Sequence, residues 1–289
     1  MNAAVVIPTD HGGDQYRAAA VAFVARWWAH HFPGLPIVYG ECGETSWSKG
    51  RAVARGIDQL SGDVRTFVIA DADSFLFHPQ QMADALKAVE RGSADWAVPH
   101  GRVYRLNRKE TDRLYSDPKA IPRLGAVHRS PYFGIQGGGF TVVTRDAFDT
   151  VGGIDARFLG WGGEDLAFGW ALTTLVGKPA TFEGKLVHLW HPHPAPSLRG
   201  SAESEALVEQ YRLARGLPDR MRAAIAGADW TPPARLSEPL RFRMMANRKH
   251  ARIATGELIT FHNGVIETDD PELAALLRQL PNVREEIHR

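Results

Sequence analysis

The stretch RTFVIADAD, Arg65–Asp73, is apolar from Phe67 to Ala70 and then carries two carboxylates at alternate positions. A short apolar run of this kind is typical of a buried strand in a parallel sheet, whose two faces are both covered. Ligands of open α/β sheets bind beyond the carboxyl ends of the strands. The stretch therefore predicts a buried central strand and, at its end, a binding site that includes Asp71 and Asp73.

Strand and helix patterns alternate on both sides of this stretch. AAVVIP (3–8) and LPIVYG (35–40) are short apolar runs, and each precedes a segment with helical spacing of its apolar residues. Beyond the two acids, Pro79 and Gly92 bound a further helix with one apolar face. This alternation predicts an α/β fold with an open, mostly parallel sheet and helices on both faces.

The later part of the chain divides by composition. Residues 94–139 are polar, basic and rich in glycine, which favours loops that cover a site. WTPPARLSEP (230–239) contains three prolines and is typical of a linker. We therefore expect a main domain over 1–228, a proline-rich linker over 229–240 and a small appendage over 241–289.

The appendage has the signals of a hairpin and one helix. ELITFHNGVIET (257–268) predicts a hairpin whose turn is Asn263-Gly264. Asp270 is the expected N-cap of the helix, with Pro271 at its first position. RFRMMANRKHAR (241–252) carries five basic residues without an acid, which indicates either a solvated face or a surface for an acidic acceptor or nucleic acid.

Overall composition excludes several classes of protein. Thirty-four basic residues against 33 acidic ones argue against a whole-surface polyanion binder, and 44% hydrophobic residues support a sizeable core. The single cysteine, Cys42, forms no intrachain disulfide and fits a reducing compartment. No apolar run reaches the roughly 18 residues of a membrane span, and the first residues lack the pattern of a signal peptide. We expect a cytoplasmic protein that does not associate with a membrane.

The two acids after the central strand are candidate metal ligands. Mg²⁺ and Mn²⁺ prefer oxygen ligands and leave room for substrate phosphates. Asp73 is the first candidate, and a turn at this point would let Asp71 reach the same cation. The alternative is that one acid forms the turn and the other is solvated.

A group of histidines follows a later strand and offers further ligands. VHLWHPH (187–193) places His188, His191 and His193 directly after an apolar run. Imidazole suits Mn²⁺ and Zn²⁺, so one histidine could complete a site that begins with Asp73. His188 is the first choice because it leaves the strand directly, and His191 is a possible ligand. A structural zinc site and histidines that are only hydrogen-bonded are the alternatives.

The stretch WGGEDLAF, Trp161–Phe168, combines an aromatic residue, two glycines and two adjacent carboxylates. The glycines permit a close approach of the backbone, and the indole offers an apolar face to a sugar ring. Glu164 and Asp165 begin a helix, where the dipole stabilises acids and also keeps a carboxylate ionised. These residue types fit a helix start as well as a catalytic base, so the surrounding pattern must decide.

The surrounding block, GGGFTVVTRDAFDTVGGIDARFLGWGGEDLAFGWAL (137–172), resembles the metal-dependent nucleotide-sugar glycosyltransferases of the GT-A fold. DAD precedes it and VHLWH follows it, as in that family. The block is similar above all to the β-1,4-galactosyltransferase and bacterial chondroitin polymerase group, and the polypeptide N-acetylgalactosaminyltransferases share it. The resemblance covers roughly residues 1 to 200 and implies an open, mostly parallel GT-A sheet with helices on both faces.

The resemblance also implies roles for individual residues. Asp165 would be the catalytic base, Glu164 would bind sugar hydroxyls, and Asp73 with His188 would hold the metal that bridges the diphosphate. A nucleotide-sugar half would cover about 1–100, and an acceptor and catalytic half about 101–228. The residues expected to bind donor or acceptor are Pro8, Thr9, Arg51, Asp71, Gly138, Gly139, Trp161, Gly162 and Gly163.

The implied activity is transfer of a sugar from a UDP-sugar to an acceptor hydroxyl, with Mn²⁺ or Mg²⁺ as cofactor. The acceptor would be a glycan, a protein or a small molecule. An Asp at 165, where the retaining N-acetylgalactosaminyltransferases have Asn, favours inversion. Leu166 and Ala167 follow it where the galactosyltransferases have further acids, a difference that concerns the acceptor.

Three other functions compete with this one. A glycoside hydrolase needs two carboxylates ~5–9 Å apart on opposite sides of a bond, which adjacent acids do not provide. A DNA- or virion-modifying glycosyltransferase would use the basic segment 241–252. A non-catalytic sugar-binding module would need neither DAD nor a metal.

Overall fold

The chain forms two compact units, Met1–Tyr211 and Arg212–Arg289. The structure is a computed structural model that describes residues 2–9, 14–43, 46–117, 120–124, 138–192, 201–227, 236–245, 249–253 and 258–286. His193, most of the predicted linker and part of the basic segment lie outside the described residues. None of the described helices is long and apolar enough to cross a membrane.

The first unit is built around a six-stranded sheet. The strands of the whole unit, in chain order, are β1 (Ala3–Thr9), β2 (Ile37–Glu41), β3 (Thr66–Ala70), β4 (Ser74–Leu76), β5 (Trp96–Val98), β6 (Arg102–Arg105), β7 (Phe140–Thr144), β8 (Ala180–Thr181) and β9 (Lys185–His188). The large sheet has the order β2-β1-β3-β7-β5-β8. Within it β7 runs antiparallel to both of its neighbours, and the other pairings are parallel.

Helices cover both faces of this sheet. The helices of the first unit are α1 (Gln15–His31), α2 (Lys49–Ile57), α3 (Gln80–Glu90), α4 (Arg108–Ser116), α5 (Arg145–Thr150), α6 (Glu164–Leu175) and α7 (Ala202–Ala214), the last of which runs through the boundary of the two units. On one face Val5 shares a core cluster with Trp28 of α1 and Met82 of α3. On the opposite face Phe67 packs edge to face against Phe148 of α5, with ring centroids 5.4 Å apart. The predicted open, mostly parallel α/β sheet with helices on both faces is confirmed.

A small second sheet, in the order β4-β9-β6, joins three distant segments. β9 pairs antiparallel with β4, so that His188 lies opposite Ser74, the residue after Asp73. β9 also pairs in parallel with β6, which places Arg105 opposite His188. This sheet therefore brings the DAD turn and the histidine segment together.

The segment 94–139 is more regular than the sequence predicts. It contains β5, β6 and α4, although 118–119 and 125–137 lie outside the described residues. β5 is only three residues long and fully buried, and β6 buries only Val103 and Tyr104 between exposed arginines. Such short strands give no measurable alternation in the sequence, so the prediction of loops over 94–139 is wrong for these elements.

The second unit contains more strands than the predicted hairpin and helix. Its elements are α8 (Pro218–Ala226), β10 (Leu240–Met244), β11 (His250–Arg252), β12 (Leu258–Thr260), β13 (Val265–Thr268), α9 (Pro271–Arg278) and β14 (Val283–Glu286). The turn at Asn263-Gly264 and the Asp270 cap of α9 form as predicted. The flanking strands do not form one ladder, because β12 pairs with β11 and β13 pairs with β10. The predicted ββα-like arrangement is thus replaced by two small sheets.

The boundary between the units also lies earlier than the predicted linker. Leu217, next to α8, packs against the core cluster that Phe242 and Leu277 form. Arg220 of α8 pairs with Glu272 of α9. These contacts assign α8 to the second unit, whereas its amphipathic pattern alone carries no information about which core it covers.

Part of the basic segment is neutralised within its own sheet. Arg241 pairs with Glu267 at 3.2 Å and with Glu286 at 2.7 Å, and Arg243 also pairs with Glu286. The acids come from β13 and β14, the two strands that flank β10. The run is therefore basic in sequence while its first two arginines face acids in space.

We predict that a chain shortened after Gly216 folds and binds metal and UDP as the whole chain does. All expected site residues belong to Met1–Tyr211, and this cut keeps the whole of α7. Circular dichroism would report folding, and calorimetry with UDP and Mn²⁺ would report binding. A chain that ends at Gly227 should be less soluble, because α8 would lose the cluster that Leu217 packs on. A folded short chain that fails to bind UDP would contradict the prediction.

Candidate functional site

A cavity of about 490 Å³ opens at the carboxyl ends of β1 and β3. Pro8 from the end of β1 and Asp71 to Asp73 after β3 form part of its wall. Glu164 and Asp165 at the start of α6 form another part, and His188 and His191 a third. The acids after β3, the first helical turn of α6 about ninety residues later, and the two histidines thus face one space.

Asp73, His188 and His191 form a cluster that can hold a metal ion. One ligand atom from each residue lies within 4.8 Å of the others. Nε2 of His191 is 3.1 Å from Oδ2 of Asp73, and Nε2 of His188 is 3.6 Å from Oδ1. Ser74 donates a hydrogen bond of 3.0 Å to Oδ1 of Asp73 and fixes the carboxylate.

The donor set fits a divalent cation such as Mn²⁺. It combines a carboxylate with two imidazoles, which are the ligand types that this ion accepts. Burial lowers the pKa of His188 and favours the neutral imidazole that can ligate a metal. Burial alone would raise the pKa of Asp73, but the nearby His188 and His191 hold it well below its usual range. The carboxylate is therefore ionised at neutral pH.

Lys49 links the two sides of the cavity floor. It is the first residue of α2, and its side chain is only 7% exposed. Its Nζ lies 2.6 Å from Oδ1 of Asp71 and 2.8 Å from Oδ1 of Asp165. The two carboxylates hold the pKa of Lys49 well above its usual value, because they outweigh its burial. A buried ammonium thus bridges the end of β3 and the start of α6.

The contact with Lys49 balances only part of the negative charge around Asp165. Burial raises its pKa to about 7, and the neighbouring Glu164 and Asp71 add to the effect, while Lys49 acts in the opposite direction. Three carboxylates therefore share one ammonium group. A carboxylate with a pKa near neutrality is suited to accept a proton at physiological pH.

Two glycines shape the loop before α6. Gly163, the N-cap of α6, has φ 97°, and a Cβ there would meet Val208 and Phe158. Gly162 has φ 114°, and its backbone N–H donates a hydrogen bond of 3.1 Å to Oε2 of Glu164. Both backbone conformations are strained for residues with a Cβ. The two glycines therefore allow a tight turn, in which the Glu164 side chain accepts a hydrogen bond from the backbone of the loop just before it.

Trp161 lies in an aromatic and cationic stack at the cavity. Its ring stacks on Trp47 with centroids 6.1 Å apart and an angle of 24° between the planes. The guanidinium of Arg17 lies over the Trp161 ring at 4.6 Å. All three residues line the cavity. Trp161 therefore lines the cavity together with a second indole and a cation, and its role as a platform for a sugar ring stays a prediction.

Some expected site residues lie elsewhere. Asp71 contacts Lys49 and does not belong to the cluster of Asp73, His188 and His191, so the turn directs the two acids to different partners. Thr9 and Arg51 do not line the cavity among the described residues, and the Thr9 hydroxyl instead donates a 3.3 Å hydrogen bond to the Gly40 carbonyl. Gly139 supports the site indirectly, since its carbonyl accepts a 3.0 Å hydrogen bond from the Asp71 N–H. Gly138, next to it, is buried.

Four further residues line the cavity without having been predicted from the motifs: Arg17, Trp47, Lys49 and Arg105. One signal for Lys49 was present: Ser48 precedes it and caps α2, with its hydroxyl accepting from the Arg51 N–H. Lysine at the start of a helix is opposed by the dipole, so it calls for a local anion. Nothing in the sequence alone identifies which anions they are.

Several solved glycosyltransferase structures are similar to the chain at low identity. A mutant of Drosophila beta-1,4-galactosyltransferase 7, crystallised with manganese, UDP-Gal and xylobiose, is 13% identical over 63% of either chain, with a TM-score of 0.39. GalNAc-T7, crystallised with UDP, GalNAc and Mn²⁺, is 13% identical over 92% of this chain and 66% of its own, with a TM-score of 0.44. The glucosyl-3-phosphoglycerate synthase of Mycobacterium tuberculosis, crystallised with Mg²⁺ and UDP, is 11% identical over 94% of this chain and 91% of its own, with a TM-score of 0.38. Neither the geometry of the site nor the proposed activity depends on these likenesses.

A family model matches the chain where the two acids lie. The model, described as the N-terminal domain of galactosyltransferase, matches residues 126–174. No curated protein matches the chain. The matched segment includes β7, α5 and nearly all of α6. The segment that carries Glu164 and Asp165 is therefore similar in sequence to a galactosyltransferase domain, which confirms the resemblance that the motifs indicate.

Proposed function

We propose that the protein transfers a sugar from a UDP-sugar to an acceptor hydroxyl with inversion at the anomeric carbon. The observation that carries the proposal is that one cavity is lined both by the cluster Asp73, His188 and His191 and by the acids Glu164 and Asp165. The first set fits a divalent cation, and the second lies in the segment that matches galactosyltransferases. Uridine as the base follows from the resemblance of the sequence motifs.

Asp73, His188 and His191 would hold a Mn²⁺ or Mg²⁺ ion. When bound, the ion supplies neutralisation of the negative charge on the departing diphosphate. The chain contributes the ionised carboxylate of Asp73 and the orientation of both imidazoles. Orientation comes from the small sheet, since the His188 strand is paired with the strand that follows Asp73.

Asp165 is the proposed base. Its Oδ1 accepts the hydrogen bond from Lys49, and we assign Oδ2 to the acceptor hydroxyl. Proton removal generates the attacking oxygen, whose bond to the anomeric carbon forms as the bond to the diphosphate breaks with its electron pair. Lys49 keeps the carboxylate in place, while burial, together with Glu164 and Asp71, keeps its pKa raised.

Glu164 and Trp161 are the proposed sugar-binding residues. Glu164 is 8% exposed, and its Oε2 is held by the Gly162 N–H, so the side chain has one defined position beside Asp165. Trp161 offers an indole at the same cavity. A carboxylate for hydroxyl groups and an aromatic ring for the apolar face of a sugar are the two contacts that a hexose requires.

Two other functions are tested by the same reagents. A non-catalytic sugar-binding module would bind its ligand without metal, and the cluster of Asp73, His188 and His191, which can hold a metal ion, argues against it. A DNA- or virion-modifying transferase would use the basic segment, but Arg241 and Arg243 are paired with acids of their own sheet. A panel of nucleotide sugars with Mn²⁺, scored by release of nucleotide diphosphate in the presence of acceptors, distinguishes transfer from binding.

Metal and nucleotide should bind with positive coupling, because the diphosphate and the three side chains would share one ion. We expect UDP to bind far more tightly with Mn²⁺ than with a chelator, as measured by calorimetry. Asp73→Asn and His188→Ala should remove most of this difference. His78→Ala, at an exposed histidine beyond β4, is the matched control and should leave it unchanged. Equal UDP affinity with and without chelator would contradict the proposal.

Lys49→Met should destabilise the fold and reduce turnover together. The change leaves Asp71, Glu164 and Asp165 without their shared cation, and breaking a buried ion pair costs about 3–5 kcal/mol. Denaturant unfolding would measure the loss of free energy of unfolding. Lys87→Met, at an exposed position of α3, is the control. A stability equal to that of the wild type would show that Lys49 does not compensate these acids.

Asp165→Asn should lower turnover by about 10²–10⁴-fold, the usual range for loss of a general base. Asn keeps the size of the side chain but cannot take the proton. UDP affinity should stay within a few-fold, because Asp165 does not belong to the metal cluster. Glu164→Gln should differ, since it weakens sugar binding as well as rate.

The pH profile gives a second measure of the same role. Because the pKa of Asp165 is raised to about 7 and only the ionised form accepts a proton, wild-type turnover should rise as the pH increases through that value. The acidic limb of the profile should be absent in Asp165→Asn. Near-normal turnover in this variant would remove the base assignment and the argument for inversion.

A further inference from the structure

One face of α7 packs along the loop that leads from α5 to the proposed base at the start of α6. Ser204, Val208 and Tyr211 are spaced by four and three residues, so their side chains lie on the same face of this helix. Ser204 donates a 3.3 Å hydrogen bond to the Leu159 carbonyl. A Cβ at Gly163 would lie 2.2 Å from Cγ2 of Val208, so the loop lies directly against the helix.

Tyr211 makes the contact of this face with a charged group. The residue is only 3% exposed, and its hydroxyl donates a 2.9 Å hydrogen bond to Oδ2 of Asp155. Its ring lies against Phe158, with centroids 6.1 Å apart. Oδ1 of the same carboxylate accepts a 2.9 Å hydrogen bond from the Arg157 N–H. Asp155 thus joins α7 to the backbone of the loop, and hydrogen bonds to a charged group are stronger than neutral ones.

The residues at the start of α2 contact the same loop. The Trp47 carbonyl accepts a 2.8 Å hydrogen bond from the Gly160 N–H, and the Trp47 ring stacks on Trp161. Lys49, two residues further on, pairs with Asp165. The position of the loop therefore determines where Trp161 lies and how Asp165 meets its cation.

We propose that Tyr211 is a positioning residue for the transfer reaction: through Asp155 it fixes the loop that carries Trp161 and leads into Asp165. The inference rests on the proposed function. Neither the sequence motifs nor the matched family segment, which ends at residue 174, includes α7. Tyr211 is not among the described residues that line the cavity, so it acts through the loop and not on the substrate.

The effect of Tyr211 should appear in the rate and not in nucleotide binding. Catalysis depends on the orientation of the reacting groups, and a displacement of about 1 Å can cost about 100-fold in rate. The cluster of Asp73, His188 and His191 belongs to the end of β3 and to β9 with the residues after it. A loosened loop before α6 leaves that cluster in place.

Tyr211→Phe is the first test, because it removes only the hydroxyl and keeps the ring against Phe158. We expect turnover to fall about 10–100-fold, while the Kd of UDP with Mn²⁺ stays unchanged. Asp155→Asn keeps an oxygen that accepts from Tyr211, so it should retain more turnover than Asp155→Ala. If Tyr211→Phe does not fold, Ser204→Ala is the second variant, since it removes the hydrogen bond to the Leu159 carbonyl.

The pH profile separates positioning from a loss of stability. Asp165 faces Lys49 of α2, Glu164 of its own helix and Asp71 after β3, and burial is the main cause that raises its pKa to about 7. A loosened loop would admit water to this carboxylate. The acidic limb of the Tyr211→Phe profile should therefore move to lower pH than that of the wild type.

Amide hydrogen exchange over residues 155–165 gives a readout that does not depend on transfer. We expect faster exchange in Tyr211→Phe, because exchange reports local opening of the backbone. Val89→Ala is the matched control for lost stability, since Val89 of α3 is buried in the core and is not among the described residues that line the cavity. It should lower the free energy of unfolding and leave the turnover of the folded protein, the acidic limb and this exchange unchanged.

Unchanged turnover and exchange in folded Tyr211→Phe, while the wild type transfers a sugar, would overturn this inference and leave the proposed function intact. Lower turnover with an unmoved acidic limb would also overturn it, because Tyr211 would then serve stability alone. Absence of transfer by the wild type with every donor and acceptor would instead overturn the proposed function. Hydrogen exchange would still show whether Tyr211 fixes the loop.

Discussion

The buried ammonium of Lys49 is the charge on which the arrangement of the first unit's site depends. Three carboxylates face the same small volume, and a buried acid without a partner is too costly to keep ionised. Lys49 reaches Asp71 at the end of β3 and Asp165 at the start of α6, and it begins α2 itself. Three elements from distant parts of the sequence are held at their ends by one ion-paired group. The sheet positions these ends, and the ammonium makes their acidic residues compatible.

The DAD turn distributes its two acids between different charge environments. Ala72 separates Asp71 from Asp73, and the turn directs the first acid to Lys49 and the second to the histidines. One acid is thereby occupied by a protein cation, and the other remains available to a metal. The spacing of the motif thus creates two adjacent sites of different charge: one that we assign to the sugar and the base, and one that we assign to the metal.

The sequence predicts those parts of the fold in which a pattern repeats over several residues. β1 and β3 have apolar runs, and α1 has helical spacing, so the open α/β sheet is predictable and confirmed. β6 and β9 are only four residues long and pair with partners about eighty residues away, which no local pattern encodes. The prediction of the second unit's strand pairing is wrong for a related reason. A turn at Asn263-Gly264 predicts a reversal of the chain but not which strands become neighbours.

The residues of the site also differ in whether the sequence alone could identify them. Asp73 and His188 can be recognised in the sequence because each lies at the end of an apolar run, and Asp165 because it follows Trp161, two glycines and Glu164 at a helix start. Lys49 and Arg105 are not visible, because a lysine at a helix start and an arginine at a strand end are common on protein surfaces. What distinguishes them is the partner across space: Asp165 for the lysine and His188 for the arginine. The balance of charge in a cavity depends on the fold. It can be determined only when the positions of several strand ends relative to one another are known.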